Sequence, residues 1–304
     1  MTIRTKLIML AAAAVAIIGA VWAFNYRDAL SKRLEEPVFL EHYIDLQDEN
    51  YGYFHLYAIE NVKDPVRPVR ASFPEIPDMR ITIGEPEPRE RYYQIRKYTV
   101  NITEPSRRLA DGQQRLDVRN MEVVYSNGEI GRPDIGRITL FPRTAGSAAE
   151  GGKPSLQFSS SGSIVIDGFP GGHVTLQAAE PLALIGWLLP EAPHLESNLE
   201  LYFFKGERNQ PRKDPLTLVK LPYTLEAGEF FTTAYTFKFP DSPASPGAMS
   251  VYQLNGELRF MRGDNSVFAS RYIVQYTPEM DREMILEWVR PSLENKSQET
   301  PGNS

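Results

Sequence analysis

The chain has 304 residues, 42% of them hydrophobic and 24% charged, with a net charge of −6 and no cysteine. That composition excludes a wholly disordered, collagen-like or polytopic membrane protein, and the missing sulfur excludes disulfide frameworks, thiolate metal sites and cysteine nucleophiles. All 24 prolines lie between Pro37 and Pro301, and because each removes a backbone donor and fixes φ, long helices are disfavoured over that stretch.

Residues 7–24 form an unbroken run of 18 uncharged, mostly apolar residues preceded by Arg4 and Lys6. As a helix the run spans roughly 27 Å, close to the thickness of a bilayer's hydrocarbon core. A core helix of a soluble protein would carry a polar stripe, and none is present. Cations ahead of the run favour a cytoplasmic amino terminus and an exported bulk. Residues 1–36 therefore read as a cytoplasmic start, a single-pass transmembrane signal-anchor that meets the membrane through residues 7–24, and a juxtamembrane segment, with Trp22 and Tyr26 at the interface. The alternative is a secreted chain, cleaved after Val21-Trp22-Ala23 near Ala23, although the apolar region of a signal peptide is usually about 7–15 residues long. An exported chain without cysteine fits a bacterial envelope better than a eukaryotic cell surface.

From Pro37 onward hydrophobicity alternates with period two. Phe231, Tyr235, Phe237 and Phe239 share one parity against Thr232, Thr236 and Lys238, and Leu199, Leu201 and Phe203 stand against Glu200. The segments 54–59, 92–102, 116–125 and 138–141 are likewise short and bounded by turn formers, which points to β-sandwiches or barrels. Ser126-Asn127-Gly128-Glu129 reads as a two-residue hairpin opposing Tyr125 to Ile130. Asn255-Gly256 does not: a turn there would oppose Leu254 to Glu257 and Tyr252 to Arg259. One long strand followed by a turn at Gly263-Asp264-Asn265 instead opposes Phe260 to Phe268, Leu254 to Val274 and Tyr252 to Tyr276.

Residues 143–154 are small and flexible and read as a linker. The expected architecture is an all-β exported region of two immunoglobulin-like β-sandwich domains, 37–142 and 155–290, each of the right size though without the hallmark cysteines. The second domain ends in one short helix, with Thr277 as its cap, Pro278 at its first position and Met280, Met284, Ile285 and Trp288 on one face until Pro291 stops it. That face would dock on the second sandwich or serve a partner, and residues 291–304 read as a disordered tail.

Chemistry is sparsely signalled. There is no Gly-x-Ser-x-Gly elbow and no serine with lysine at the third following position. His42, His55, His173 and His194 are isolated, so neither a metal nor a cofactor is expected. The loop from Asp167 to His173 combines a carboxylate, glycines and an imidazole, which makes Asp167 and His173 the catalytic candidates. Tyr51, Tyr53 and Tyr57 share one strand face with His55; the row reads first as a core face and second as a surface that stacks on sugar rings. Charges of both signs are interspersed and no basic patch stands out, which argues against nucleic acid as a partner. The expected role is non-catalytic binding or scaffolding at the bacterial cell envelope, with an envelope protein or glycan as partner. The alternatives are an envelope hydrolase acting on glycans or esters, and a regulator of a partner membrane protein working through the anchor or the helix near Trp288.

Overall fold

The computed structural model describes residues 3–47, 53–62, 64–76, 79–101, 115–141, 154–205, 214–215, 219–239, 245 and 247–299. The linker expected at 143–154 falls almost wholly outside them. The chain opens with helix α1 (Ile3–Ser31), followed by β1 (Val38–Phe39), β2 (His42–Gln47), β3 (Tyr53–Asn61), β4 (Pro68–Ser72), β5 (Arg80–Ile83), β6 (Glu87–Pro88), β7 (Tyr93–Asn101), β8 (Leu116–Asn120), β9 (Glu122–Tyr125), β10 (Ile130–Gly131) and β11 (Asp134–Phe141). Then come β12 (Leu156–Ile166), β13 (Phe169–Ala178), β14 (Leu182–Leu188), the one-turn helix α2 (Leu195–Asn198), β15 (Leu199–Lys205), β16 (Asp214–Pro215), β17 (Tyr223–Leu225), β18 (Phe230–Phe237), β19 (Val251–Arg262), β20 (Val267–Tyr276) and helix α3 (Arg282–Glu299). Helix α1 is rich in alanine and free of proline, and it is long and apolar enough to cross a membrane.

Among the described residues the strands form four sheets: β1-β3-β7-β5 with β6 beside β7, β10-β9-β4, β17-β14-β19-β2-β11-β8 with β20 beside β19, and β12-β13-β18-β15-β16. The third sheet joins the two halves of the chain. Its β2 runs parallel to both β11 and β19, a pairing that the antiparallel immunoglobulin-like sandwich lacks. Because side chains alternate along a strand, β2 serves two cores, sending Ile44 and Leu46 into one and Tyr43 into the other.

The first core gathers Phe54, Leu56, Tyr98 and Val100 from β3 and β7, Val123 and Tyr125 from β9, and Ile138 and Leu140 from β11. The second packs Leu184, Tyr252, Leu254, Phe260 and Val274 of the third sheet against Phe203, Phe231, Tyr235 and Phe237 of the fourth. A third cluster joins Leu34, just past α1, to Ile59, Tyr93, Ile95 and Val251, and receives Ile285 and Val289 of α3. Helix α3 therefore docks on β3 and β7 as well as on the start of β19, not on the second core alone.

Three local expectations change. Asp281, not Thr277, caps α3, its Oδ1 accepting the amide of Met284 at 2.9 Å as N-cap carboxylates do. The helix also runs through Pro291 to Glu299, so residues 291–299 are not a tail, and Leu293 beyond the proline still packs on the third cluster. At Ser126-Asn127-Gly128 the turn has three residues: Gly128 takes φ 86° and bonds back to Tyr125, so Ile130 opposes Val124 rather than Tyr125, the one-residue shift of a turn closed by a left-handed bulge. The other hairpin is as expected, with Tyr252↔Tyr276, Leu254↔Val274 and Phe260↔Phe268 paired. Gly256 sits inside that strand because a Cβ there would meet the Tyr272 ring 2.1 Å away.

Candidate functional site

On the inner face of the β3–β7 ladder the pairs run Phe54↔Val100, Leu56↔Tyr98, Ala58↔Arg96 and Glu60↔Gln94, so the lining of the first core changes from apolar to charged at one end. Glu60 and Arg96 are both buried, and the Arg96 Nε donates to Glu60 Oε1 at 2.7 Å. Arg96 Nη1 donates to the carbonyl of Gly84 at 2.7 Å, and Gln94 Nε2 reaches Glu60 Oε2 at 3.5 Å. Above this floor opens a cleft of about 750 Å³, lined also by Asp64, Arg67 and Glu85. Burial first, then the Glu60 carboxylate, push the neighbouring Tyr98 phenol far above its ordinary range. Tyr125 is pushed up to about 12 by burial, with Glu36, Glu60 and Asp64 adding to the effect.

The cleft stands next to the exit of α1. Asn61, the residue after Glu60, clamps Leu34 through both its backbone groups: Leu34 N donates to Asn61 Oδ1 at 2.9 Å and Asn61 Nδ2 donates to Leu34 O at 2.8 Å. The same Nδ2 donates to Asp64 of the cleft at 3.0 Å. Tyr92 OH donates to Asp28 of α1 at 2.6 Å, and Tyr93 OH to the carbonyl of Lys32 at 2.7 Å. Four bonds of this kind leave the helix end little freedom relative to β3 and β7. A ligand in the cleft would thus sit on the element that holds α1.

Asp167 and His173 are not brought together. Asp167, at φ 53°, and Gly168, at φ 86°, form the two-residue turn between Ile166 and Phe169. His173 lies four residues beyond Phe169, about 13 Å along the strand, where it is 5% exposed and paired between Gly162 and Ala234. The carboxylate near Asp167 is Glu200, which Lys238 binds at 2.7 Å and Tyr202 OH at 2.5 Å. An Asp-Gly pair flanked by Ile166 and Phe169 is a hairpin signal, and it accounts for this loop.

Tyr51 lies outside the described residues. Tyr53, His55 and Tyr57 line the outer face of β3, opposite Phe54, Leu56 and Ala58 of the first core; Tyr53 stands at a surface, whereas Tyr57 is half-buried and packs on the third cluster. Tyr53 is 64% exposed, its ring 5.2 Å from that of His55, which meets Tyr57 edge-on at 6.3 Å. Asn101, Thr99 and Lys97 stand opposite on β7. His42, one layer in, is fully buried: its Nε2 accepts the amide of Tyr57 at 2.9 Å, Nδ1 faces the carbonyl of Ile135 at 3.3 Å, and burial drives its pKa down to about 3. It holds backbone groups as a neutral ring.

A second polar patch crosses the third sheet, where Thr139 pairs with Asp45 on one side and Asp117 on the other. Burial raises the Asp45 carboxyl. Asp117, against a burial effect of the opposite sign, is held below its ordinary value by hydrogen bonds from Arg115 and Thr139. Asp45 Oδ2 accepts the amide of Asn255 at 3.2 Å where β2 and β19 part, which gives it a structural task.

Among the described residues no group of three histidine, aspartate or glutamate side chains converges as a metal site. The Glu60–Arg96–Gln94 floor carries no motif, but it does leave a trace: two ionisable residues continue the core parity of Phe54, Leu56, Tyr98 and Val100, where a buried strand face calls for apolar ones. No protein-family model matches the chain and no characterised protein matches it in sequence, so its function must be read from this geometry.

Proposed function

We propose that the chain is a membrane-tethered binding protein of the bacterial cell envelope, held by α1 with its β region outside the cytoplasm, and that the cleft over Glu60 and Arg96 is where it holds its ligand. The observation that carries this reading is a buried, hydrogen-bonded ion pair flooring an open cleft. Burying two charges costs several kcal/mol per ion before pairing offsets it, and apolar residues of similar size often stabilise as well or better. A charged floor there favours recognition over stability. The ligand it suits is polar and offers both donors and acceptors, as an extended peptide segment of an envelope protein does. A holding role rather than catalysis is supported by the separation of Asp167 from His173.

The test is photo-cross-linking of the full-length chain in its native membrane. A reactive group at Val69, which lines the cleft and is 60% exposed, should give a discrete adduct, whereas one at Val267, 57% exposed on the distant β19–β20 hairpin, should not. Equal adducts from both positions, or none from Val69, would remove the cleft from the account.

A second reading rests on the exposed Tyr53 ring beside the half-buried His55 on the outer face of β3, which with neighbouring Asn101 suits a sugar: an aromatic face stacks on it while polar groups bond its hydroxyls. Retention on insoluble envelope glycan that vanishes in Tyr53→Ala would support it, and retention unchanged by that substitution would end it.

A further inference from the structure

The geometry points to a binding site for an anionic phospholipid at the exit of α1, an inference that rests on the anchoring proposed above. A groove of about 390 Å³ lies between the end of α1 and the residues that lead into β7, lined by Tyr26, Leu30, Lys32, Arg33, Arg91 and Tyr92 among others. Its depth follows from the helix rise. The apolar run ends at Phe24, so at 1.5 Å per residue Tyr26 stands about 3 Å and Leu30 about 9 Å beyond it. The headgroup layer is roughly 5–8 Å deep on each side of the hydrocarbon core, which places Tyr26 inside that layer and Leu30 at its outer edge, with Lys32 and Arg33 just beyond, where long cationic side chains reach back toward the phosphates.

The lining matches that location on both counts. Tyr26, Ala29 and Leu30 offer an apolar wall, while Lys32, Arg33 and Arg91 offer three cations, and among the described residues no carboxylate lines the groove. The acids beside the groove are engaged: Asp28 by Lys32 at 3.0 Å and by the Tyr92 hydroxyl, and Asp64 by Arg33 at 3.8 Å. The Arg91 guanidinium lies 5.3 Å and the Lys32 ammonium 4.8 Å from the Tyr92 ring centroid, so two of the cations are held in place before any lipid arrives. With no lining acid to receive a choline or ethanolamine ammonium, the groove suits a lipid whose headgroup is anionic overall, its phosphate bonded by Arg33 and Arg91. The clamps of Asn61 on Leu34 and of Tyr93 on Lys32 fix the walls. A bound lipid would therefore brace the β region at a set angle to the membrane.

The experiment uses the full-length chain in nanodiscs of phosphatidylcholine mixed with phosphatidylglycerol, with the lipids it retains counted by native mass spectrometry. The wild type should retain phosphatidylglycerol in preference to phosphatidylcholine. Each of Arg33→Gln and Arg91→Gln should reduce that preference about fivefold, the effect of one cation near a charged lipid surface, while Arg91→Lys keeps it. No preference in the wild type, or a preference unchanged in the double glutamine variant, would overturn the site. Loss of the preference in excess inorganic phosphate would overturn the choice of a lipid and assign the groove to free phosphate. Extraction of the wild type from membranes by alkaline carbonate would overturn the anchoring and this site together, whereas a chain that resists carbonate but shows no preference would overturn the site alone.

Discussion

The two large cores solve the same packing problem differently. The second closes with rings: Phe203, Phe231 and Phe260 succeed one another at centroid distances of 5.7 and 5.6 Å, and Phe237 lies 5.6 Å from Tyr252. The first is apolar only as far as Ala58 and then ends in Glu60, Gln94 and Arg96 under an open cleft. The first core draws on strands of three sheets and the second on two, and they differ as well in the side chains at their ends. The closed core is built for stability, and the open one gives up apolar burial at the end nearest α1.

That contrast sets an order of effects. Phe231→Ala, in the closed core, should cost about 4 kcal/mol by lost burial and the cavity left behind, read by denaturant unfolding; a cost below 1 kcal/mol would mean that the rings are not the principal support. Arg96→Met should cost about 3 kcal/mol because it strands the Glu60 carboxylate, yet Glu60→Leu with Arg96→Met should return to the stability of the wild type or exceed it. If the double variant were as unstable as the single one, the ion pair would be a structural need, and its link to binding would fail.

Acid sensitivity should belong to the open side of the molecule. His42 is neutral when folded, with a pKa near 3 against about 6.5 in an unfolded chain. Above pH 6.5 neither state binds the proton and the ring has no effect on the pH dependence. Below it only the unfolded state does, so stability falls by about 1.4 kcal/mol per unit as the pH drops toward the folded value. Asp45, raised by burial, acts with the opposite sign at lower pH. Unfolding free energies measured between pH 7 and 5 check this, and a flat profile would show that His42 gains a proton in place. The smallest effect should come from Tyr53→Ala, whose exposed ring should change stability by no more than about 0.5 kcal/mol, so that any loss of glycan retention is not a loss of fold.

Much of the fold was legible where one rule governs one residue. The β19–β20 register followed from parity, because a one-residue slip would turn Leu254 and Phe260 out of their core. The apolar run 7–24 declared a helix through length and the lack of any polar stripe. What escaped was non-local. Nothing in the segment 42–47 announces that β2 runs parallel between β11 and β19, since parallel neighbours come from distant chain. The cap of α3 moved to Asp281 because side-chain geometry, not the first available threonine, decides which amide is satisfied. For the site, period two correctly put Tyr53 and Tyr57 on one face of β3, but which face was buried depended on β7 and β11. Glu60 and Arg96 were visible as charges in core parity, yet only the β3–β7 register makes them partners.

The most direct test of the central claim joins cross-linking to the paired substitution. With the photoreactive group at Val69 in membranes, the wild type should form an adduct, and the Glu60→Leu, Arg96→Met chain should lose it while its unfolding free energy stays at or above that of the wild type. An adduct of undiminished yield from the doubly substituted chain would contradict the assignment of the cleft as the binding site.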